Sequence, residues 1–389
     1  MTMRFLRLGM LGIVMCVRMP APLLPGPNLA KRIEQADAIV VARLTSGTTL
    51  ASGTRVSSDF MLHVDRVLKG DVIPGSDIAA HLEGRVGFIV QAANQSAISE
   101  KLYGIWLLSS AASGPYSVVS RDGNLGDLDF APVILPEDAP VGKAGETPAA
   151  SVANELVAGL EWLNETHGSQ LSPRATGVYA GQYRALADDL RSLDSSTTLD
   201  VYRQLASAKS ALLRALGIQG LIAANDPEGV KRAAADWTEL SAAADVSPIS
   251  NSLMAYSNGD DAEAVRSLGA LALRDPSEAG LRANAVYALR AIHSKETLPA
   301  LVALLDDKDD RVRPYALSGL CLFVRNAPNV TPKSVPSMSW MQARPPTPLL
   351  NPETQRYCLL GPNQAADLDA YVSFWKSWWS EHQTEIEDR

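Results

Sequence analysis

Apolar and polar positions change rhythm along this 389-residue chain. Between about residues 28 and 135 the apolar residues come in short, partly alternating runs: 38–44 (AIVVARL), 59–68 (DFMLHVDRVL), 77–82 (DIAAHL), 104–109 (GIWLLS) and 116–120 (YSVVS). Clusters of Gly, Ser, Asn or Pro separate them at Ser46–Gly53, Lys69–Gly75 and Ser113–Pro115. Alternation bounded by turn residues predicts short strands, and so many in a row predict a small β-sandwich or barrel. In the second run Phe60, Leu62 and Val64 face one way and Met61, His63 and Asp65 the other.

Residues 136–152 are rich in Pro, Gly and charge without a period, which predicts a linker. From residue 153 the apolar spacing becomes three and four. Leu156, Leu160 and Leu163 continue from Val152, followed by Tyr183, Leu186, Leu190 and Leu193, then Leu199, Tyr202 and Leu205, then Leu212, Leu213, Leu216 and Leu221. This is the period of amphipathic helices, six or more of them before Asp275.

Within 275–324 one helical unit occurs twice, offset by 31 positions. Leu281, Arg282, Ala285 and Leu289 return as Val312, Arg313, Ala316 and Leu320, and Asp275 returns as Asp306. A first helix over 278–292 and a second over 298–305 are expected, with Ser294 and Thr297 as caps and Pro299 in a first turn, where its missing N–H costs little. Fixed periods of this size mark stacked helix pairs, because one hairpin cannot bury its apolar face alone. Arg282 and Arg313, one repeat apart, are expected to bridge to neighbouring acidic turns in a structural ladder.

An Asp-rich turn, a Val/Leu-Arg pair, the following Ala and Leu, and the stretch LPALVALLDD over 298–307 resemble HEAT repeats of the kind common in bacteria. That resemblance implies an armadillo-type helical solenoid over 153–327 with a binding or scaffolding role and no chemistry of its own. The segments ADAIVVARL, FMLHVDRVLKGDVIPGSDI and YGIWLLSS resemble, in that order, the OB-like barrel of netrin-module or metalloprotease-inhibitor type found near the start of many exported proteins. The inhibitors' N-terminal cysteine and disulfides are missing, so inhibition is not carried over. The expected fold class is therefore α+β multidomain: a small OB-like barrel or sandwich over 28–135, followed by an α-solenoid of HEAT-type helix pairs.

Residues 328–356 are expected to form a proline-rich loop, since seven prolines in 328–352 forbid a continuous helix. The last segment, 357–389, carries a helix with Tyr371, Phe374, Trp375, Trp378 and Trp379. Their spacing places most of the rings on one side, where they can cap the open end of a helical stack.

Composition changes the picture little, because 46% hydrophobic and 20% charged residues describe a globular protein. A net charge of −8 offers nucleic acid no broad basic surface. The N-terminus matters more. Arg4 and Arg7 precede ten apolar or small residues from Leu8 to Val17, the length and polarity of a secretory signal, so residues 1–27 are expected to be removed and the protein exported to the periplasm or the extracellular space, with no transmembrane span in the mature form. Cys16 falls inside that signal. The remaining cysteines, Cys321 and Cys358, form a candidate disulfide, with free core thiols as the alternative.

Chemistry-bearing patterns are scarce. No HExxH, CxxC, GxSxG or P-loop occurs. His63 and His81 fall on neighbouring expected strands, but zinc would need two further ligands. The acidic turns at 258–261 and 306–310 lack the glycine and glutamate of a calcium loop and read as helix caps. No catalytic residue, metal or cofactor is assigned. The expectation is a non-enzymatic, exported binding or scaffold protein whose partner is another protein. An enzyme of lyase or hydrolase type on the helical scaffold, and an extracellular inhibitor acting through the β domain, are the alternatives.

Overall fold

The computed structural model describes residues 29–52, 55–85, 101–110, 114–119, 132–171, 177–193, 195–292, 294–309, 311–325 and 365–387. The expected signal peptide, the proline-rich loop and Cys358 lie outside the described residues, and of Cys321 and Tyr371 only the helical backbone is described.

The N-terminal part is a five-strand barrel. Strands β1 (Ala38–Ser52), β2 (Arg55–Lys69), β3 (Asp77–Arg85), β4 (Tyr103–Ser109) and β5 (Tyr116–Val118) close in the order β1-β2-β3-β5-β4, with β1 returning to pair with β4. Every contact in the ring is antiparallel except β3–β5, which is parallel through Ala80↔Tyr116 and His81↔Ser117. A short β6 (Val133–Ile134) adds to β4. The interior holds Val40, Ala42, Leu44, Phe60, Leu62, Val64, Leu82, Trp106 and Leu108. Trp106 satisfies its one donor there by giving Nε1–H to the Ala42 carbonyl at 3.0 Å. Phe60, Leu62 and Val64, expected on one face, all point inward.

Residues 46–52 are not the turn that their composition suggests. β1 runs through them to Ser52, paired residue for residue with 55–61, and the buried hydroxyls of Thr49 and Ser58 hydrogen-bond at 3.0 Å. Thr48 and Thr49 are β-branched and suit a pleated surface, and the cross-strand partners outweigh the turn-like residues.

The wall formed by β1 and β4 is buried on both faces. Ile39, Val41, Ile105, Leu107 and Val133 point away from the barrel interior and join the core of the helices. Helix α1 (Leu29–Gln35), which the strand-dominated pattern of this region conceals, covers that wall with Leu29 and Ile33, one turn apart. Its buried Arg32 donates from Nε and Nη2 to the Val119 carbonyl at 3.3 and 3.1 Å. Lys69 closes the end of α1 by donating to the carbonyls of Ile33 and Ala36.

The helices follow as α2 (Pro148–His167), α3 (Val178–Arg191), α4 (Ser195–Ala206), α5 (Ala211–Ala223), α6 (Pro227–Ala243), α7 (Ser247–Leu253), α8 (Ala262–Ala272), α9 (Ala279–Ala291), α10 (Leu298–Ala303), α11 (Val312–Arg325) and α12 (Ala365–Glu387). The stretch expected as a linker lies against α2: Asn154 Nδ2 donates to the Lys143 carbonyl at 2.9 Å, and a Cβ at Gly142 would meet the backbone of Asn154 and Glu155. The first five helical residues, from Pro148, also belong to that stretch, with Thr147 as the N-cap. Arg66 of β2 grips Glu155 of α2 across the junction, Nε to Oε1 at 3.0 Å and Nη2 to Oε2 at 2.7 Å.

Alternate helices pack side by side. α2 touches α4, α6 touches α8 and α8 touches α10, while α5 touches α7, α7 touches α9 and α9 touches α11. Two glycines allow the closest approach. A Cβ at Gly217 of α5 would collide with the backbone of Ala206 at the end of α4, and one at Gly220 with the Tyr202 ring. Leu281, Ala285 and Leu289 on α9 and Val312, Ala316 and Leu320 on α11, the 31-residue equivalents, all enter one core. The C-terminal α12 packs on α10 and α11 and buries Trp375, Trp378 and Ile386.

Candidate binding groove

The end of the helical array that α12 covers is not sealed. Between α8, the turn leading into α10, and α12 lies an open groove of about 520 Å³, within the range of roughly 300–1,000 Å³ usual for ligand clefts. Its lining comes from three places. α8 and its C-cap supply Arg266, Ala270 and Leu273 at positions i, i+4 and i+7, one face of the helix, with Gly269 between them. Pro299 and Ala300 come from the first turn of α10, and Trp379 from α12. Leu273 is 50% exposed, an unusual state for a leucine that faces neighbouring helices.

The rim is charged. Lys295 and Glu296 stand at one edge and Arg266 at the end of the α8 stripe. Glu296 is held below its usual pKa first by the Ser294 hydroxyl, with burial opposing and the charges of Lys295 and Arg266 adding to the depression. Two cations and one anion thus line the groove in a chain that is negative overall.

Arg266 also occupies a place in a series. Arg203 of α4 pairs with Asp226, the N-cap of α6, at 2.9 Å. Lys231 of α6 pairs with Asp261, the N-cap of α8, at 3.1 Å. These bridges tie each helix to the capping aspartate of its neighbour, and the sequence conceals them because their partners are 23 and 30 residues apart. Arg266 stands five residues beyond Asp261, as Lys231 does beyond Asp226. The turn into α10, however, is capped by Ser294. Among the described residues Arg266 has no hydrogen bond and no direct ion pair, so the third step of the series lacks its carboxylate.

The residues singled out from sequence divide into several places. Arg282 is buried, donates from Nε to the Ala272 carbonyl at 3.2 Å, and pairs through Nη2 with Asp307 in the following acidic turn. Arg313 sits half-buried in α11, where its backbone N–H donates to the Asp309 carbonyl. Of the C-terminal aromatics whose side chains are described, Trp375 and Trp378 are buried with ring centroids 5.3 Å apart, Phe374 packs edge-on to Trp375, and Trp379 alone turns to the groove. The acidic turns cap helices: Asp261 accepts from the amides of Glu263 and Ala264, and Asp309 from that of Arg311.

On the barrel exterior, His63 and His81 each bind a cross-strand carboxylate, Asp77 at 2.8 Å and Asp59 at 2.6 Å. They lie four ladder positions apart, about 13 Å along the strands, too far to share an ion. Among the described residues no group of three or more His, Cys, Asp or Glu is arranged to hold a metal. The sheet register places Ser117 beside His81 on the side opposite Asp59. No hydrogen bond joins His81 to Ser117 among the described residues.

Among the described residues no helix is long and apolar enough to cross a membrane. No known protein family, curated protein or solved structure matches the chain.

Proposed function

We propose that this is a non-enzymatic binding or scaffold protein, exported to the periplasm or beyond, that engages another protein through a HEAT-type helical solenoid. The observation that carries the reading is the packing of equivalent helices. α9 and α11 lie side by side with the repeated apolar positions in one core, and the helices before them alternate in the same manner. Stacks of this kind leave long continuous surfaces, and their usual task is to bind other macromolecules. The strand order of the barrel, with its one parallel contact, supports an OB-like module in front.

Photo-crosslinking tests the reading. A photoreactive residue placed at exposed Ala270 or Ser241 on the helices, or at Thr48 on the barrel, is activated in intact cells. Adducts of defined mass from the helical positions are expected. Adducts from the barrel position alone would transfer the binding role to the β domain and favour the inhibitor reading. Export has its own check, since the mature protein is expected to begin between residues 19 and 28, and an intact Met1 would remove it.

A hydrolase is the second reading, favoured by one observation only: Asp59, His81 and Ser117 stand in a row across three strands, the residue types of a nucleophilic triad. The His81–Asp59 pair is formed, but among the described residues no hydrogen bond joins His81 to the Ser117 hydroxyl.

A further inference from the structure

We infer that the groove between α8, α10 and α12 binds a peptide segment of a partner protein in which an aspartate or glutamate lies next to a large apolar residue. This inference rests on the proposed binding role and specifies its ligand.

At two successive steps a basic side chain of one helix meets the carboxylate that caps the next, Arg203 with Asp226 and Lys231 with Asp261. At the third step the basic residue is retained as Arg266, while the cap is Ser294, whose hydroxyl is already engaged with Glu296. A carboxylate brought by a ligand would restore the missing partner. Arginine presents a planar fork of donors that matches a carboxylate with two parallel hydrogen bonds, and Lys295 adds positive charge at the same rim.

The apolar half of the ligand follows from the floor. Leu273, Ala270, Pro299 and Trp379 form a continuous apolar strip beside Arg266. An aliphatic or aromatic side chain seated there would cover the exposed part of Leu273 and pack on the indole. Trp379 therefore gives α12 a second task beyond covering the stack, because without it the groove has no outer wall.

The test uses the full chain against a displayed library of random heptapeptides, followed by binding measurements with labelled copies of the enriched sequences. Expected is enrichment of Asp or Glu within two positions of Leu, Phe or Trp. Arg266→Glu should weaken these peptides at least about tenfold, the loss of a charge-assisted hydrogen bond. Arg266→Lys should retain part of the affinity, and Leu273→Asp should abolish it. Both sites are exposed, so folding is not at risk. Enriched peptides without acidic residues, or binding indifferent to Arg266→Glu, would overturn the acidic ligand. Peptides indifferent to Leu273→Asp as well would place the site elsewhere on the protein and leave the binding role standing. Absence of enrichment, with crosslinks still forming from Ser241, would remove the groove alone; absence of both would remove the groove and the binding role together.

Discussion

Arg66 of the barrel and Glu155 of the first long helix form a two-pronged ion pair, with Glu155 only 3% exposed. Tyr103 approaches the same guanidinium at 3.4 Å. The pair joins the two parts of the protein where neither charge could be left alone. Removing one member of a buried pair costs about 3–5 kcal/mol, whereas replacing both with apolar residues of similar volume is often neutral. Glu155→Ala is therefore expected to lower the urea midpoint sharply, and Arg66→Met combined with Glu155→Leu to recover most of it. Equal loss in the single and double variants would refute this account.

Two glycines separate packing from chain entropy. Gly217 has no room for a methyl group against Ala206, so Gly217→Ala should destabilise by roughly 1–3 kcal/mol. Gly280, in the first turn of α9, has nothing within 4 Å of the added carbon. Gly280→Ala should instead stabilise by about 0.4–1 kcal/mol, because it restricts the unfolded chain. Thermal unfolding of the two variants against the parent gives opposite signs if the helices pack as described.

Asp261 carries the acid sensitivity of the helical bridges. Its carboxyl is held below its ordinary value of 3.8, first by the Ala264 amide and then by Lys231. A carboxyl depressed on folding stabilises the folded state above its unfolded pKa and loses that contribution as pH falls through the folded one. The loss should set in below about pH 4. Asp261→Asn should flatten this part of the stability profile, and Asp261→Ala should cost about 1 kcal/mol at neutral pH as a lost cap. A variant that retains the full acid slope would show that other carboxylates dominate it.

Arg282 and Arg313 occupy equivalent sequence positions and unequal environments. Arg282→Ala strips Asp307 of its buried partner and the Ala272 carbonyl of its donor, so a loss of about 3–5 kcal/mol is expected. Arg313→Ala, at a half-buried site, should cost less. Comparable losses would mean that the ladder continues past α11 with equal strength.

The row Asp59–His81–Ser117 can be tested with a fluorophosphonate probe, which labels serines activated by a neighbouring base. No adduct at Ser117 is expected, because among the described residues no hydrogen bond joins its hydroxyl to the His81 imidazole, whose pairing with Asp59 alone does not activate a serine. Labelling that disappears in Ser117→Ala and in His81→Ala would favour the hydrolase reading over the binding one.

Much of this architecture is legible in the order of residues. The period-two alternation of Phe60, Leu62 and Val64 and the three-four spacing of Val152, Leu156, Leu160 and Leu163 depend on which face of a local element is buried, and both report it correctly. Capping is equally local, as Asp261 and Ser294 show. What stays hidden depends on neighbours distant in sequence. The stretch 46–52 reads as a turn until its pairing with 55–61 is known. The pairs Arg203–Asp226 and Lys231–Asp261 require knowing which helices lie side by side, and so does the position of Arg266 beside Leu273 and Trp379. Helix α1 is concealed for a related reason: its seven residues are too few for periodicity to rise above the strands that follow.

The doubly buried wall of β1 and β4 has a consequence for how the molecule comes apart. Ile39, Val41, Ile105 and Leu107 belong to the helical core, while their alternate neighbours Val40, Ala42, Trp106 and Leu108 fill the barrel. Melting either part strips one face of the same two strands, so neither half has a boundary along which it can open by itself. Calorimetry should record one heat-absorption peak for the whole protein, with equal calorimetric and van't Hoff enthalpies. A fragment ending near residue 135 should expose a greasy outer wall and self-associate.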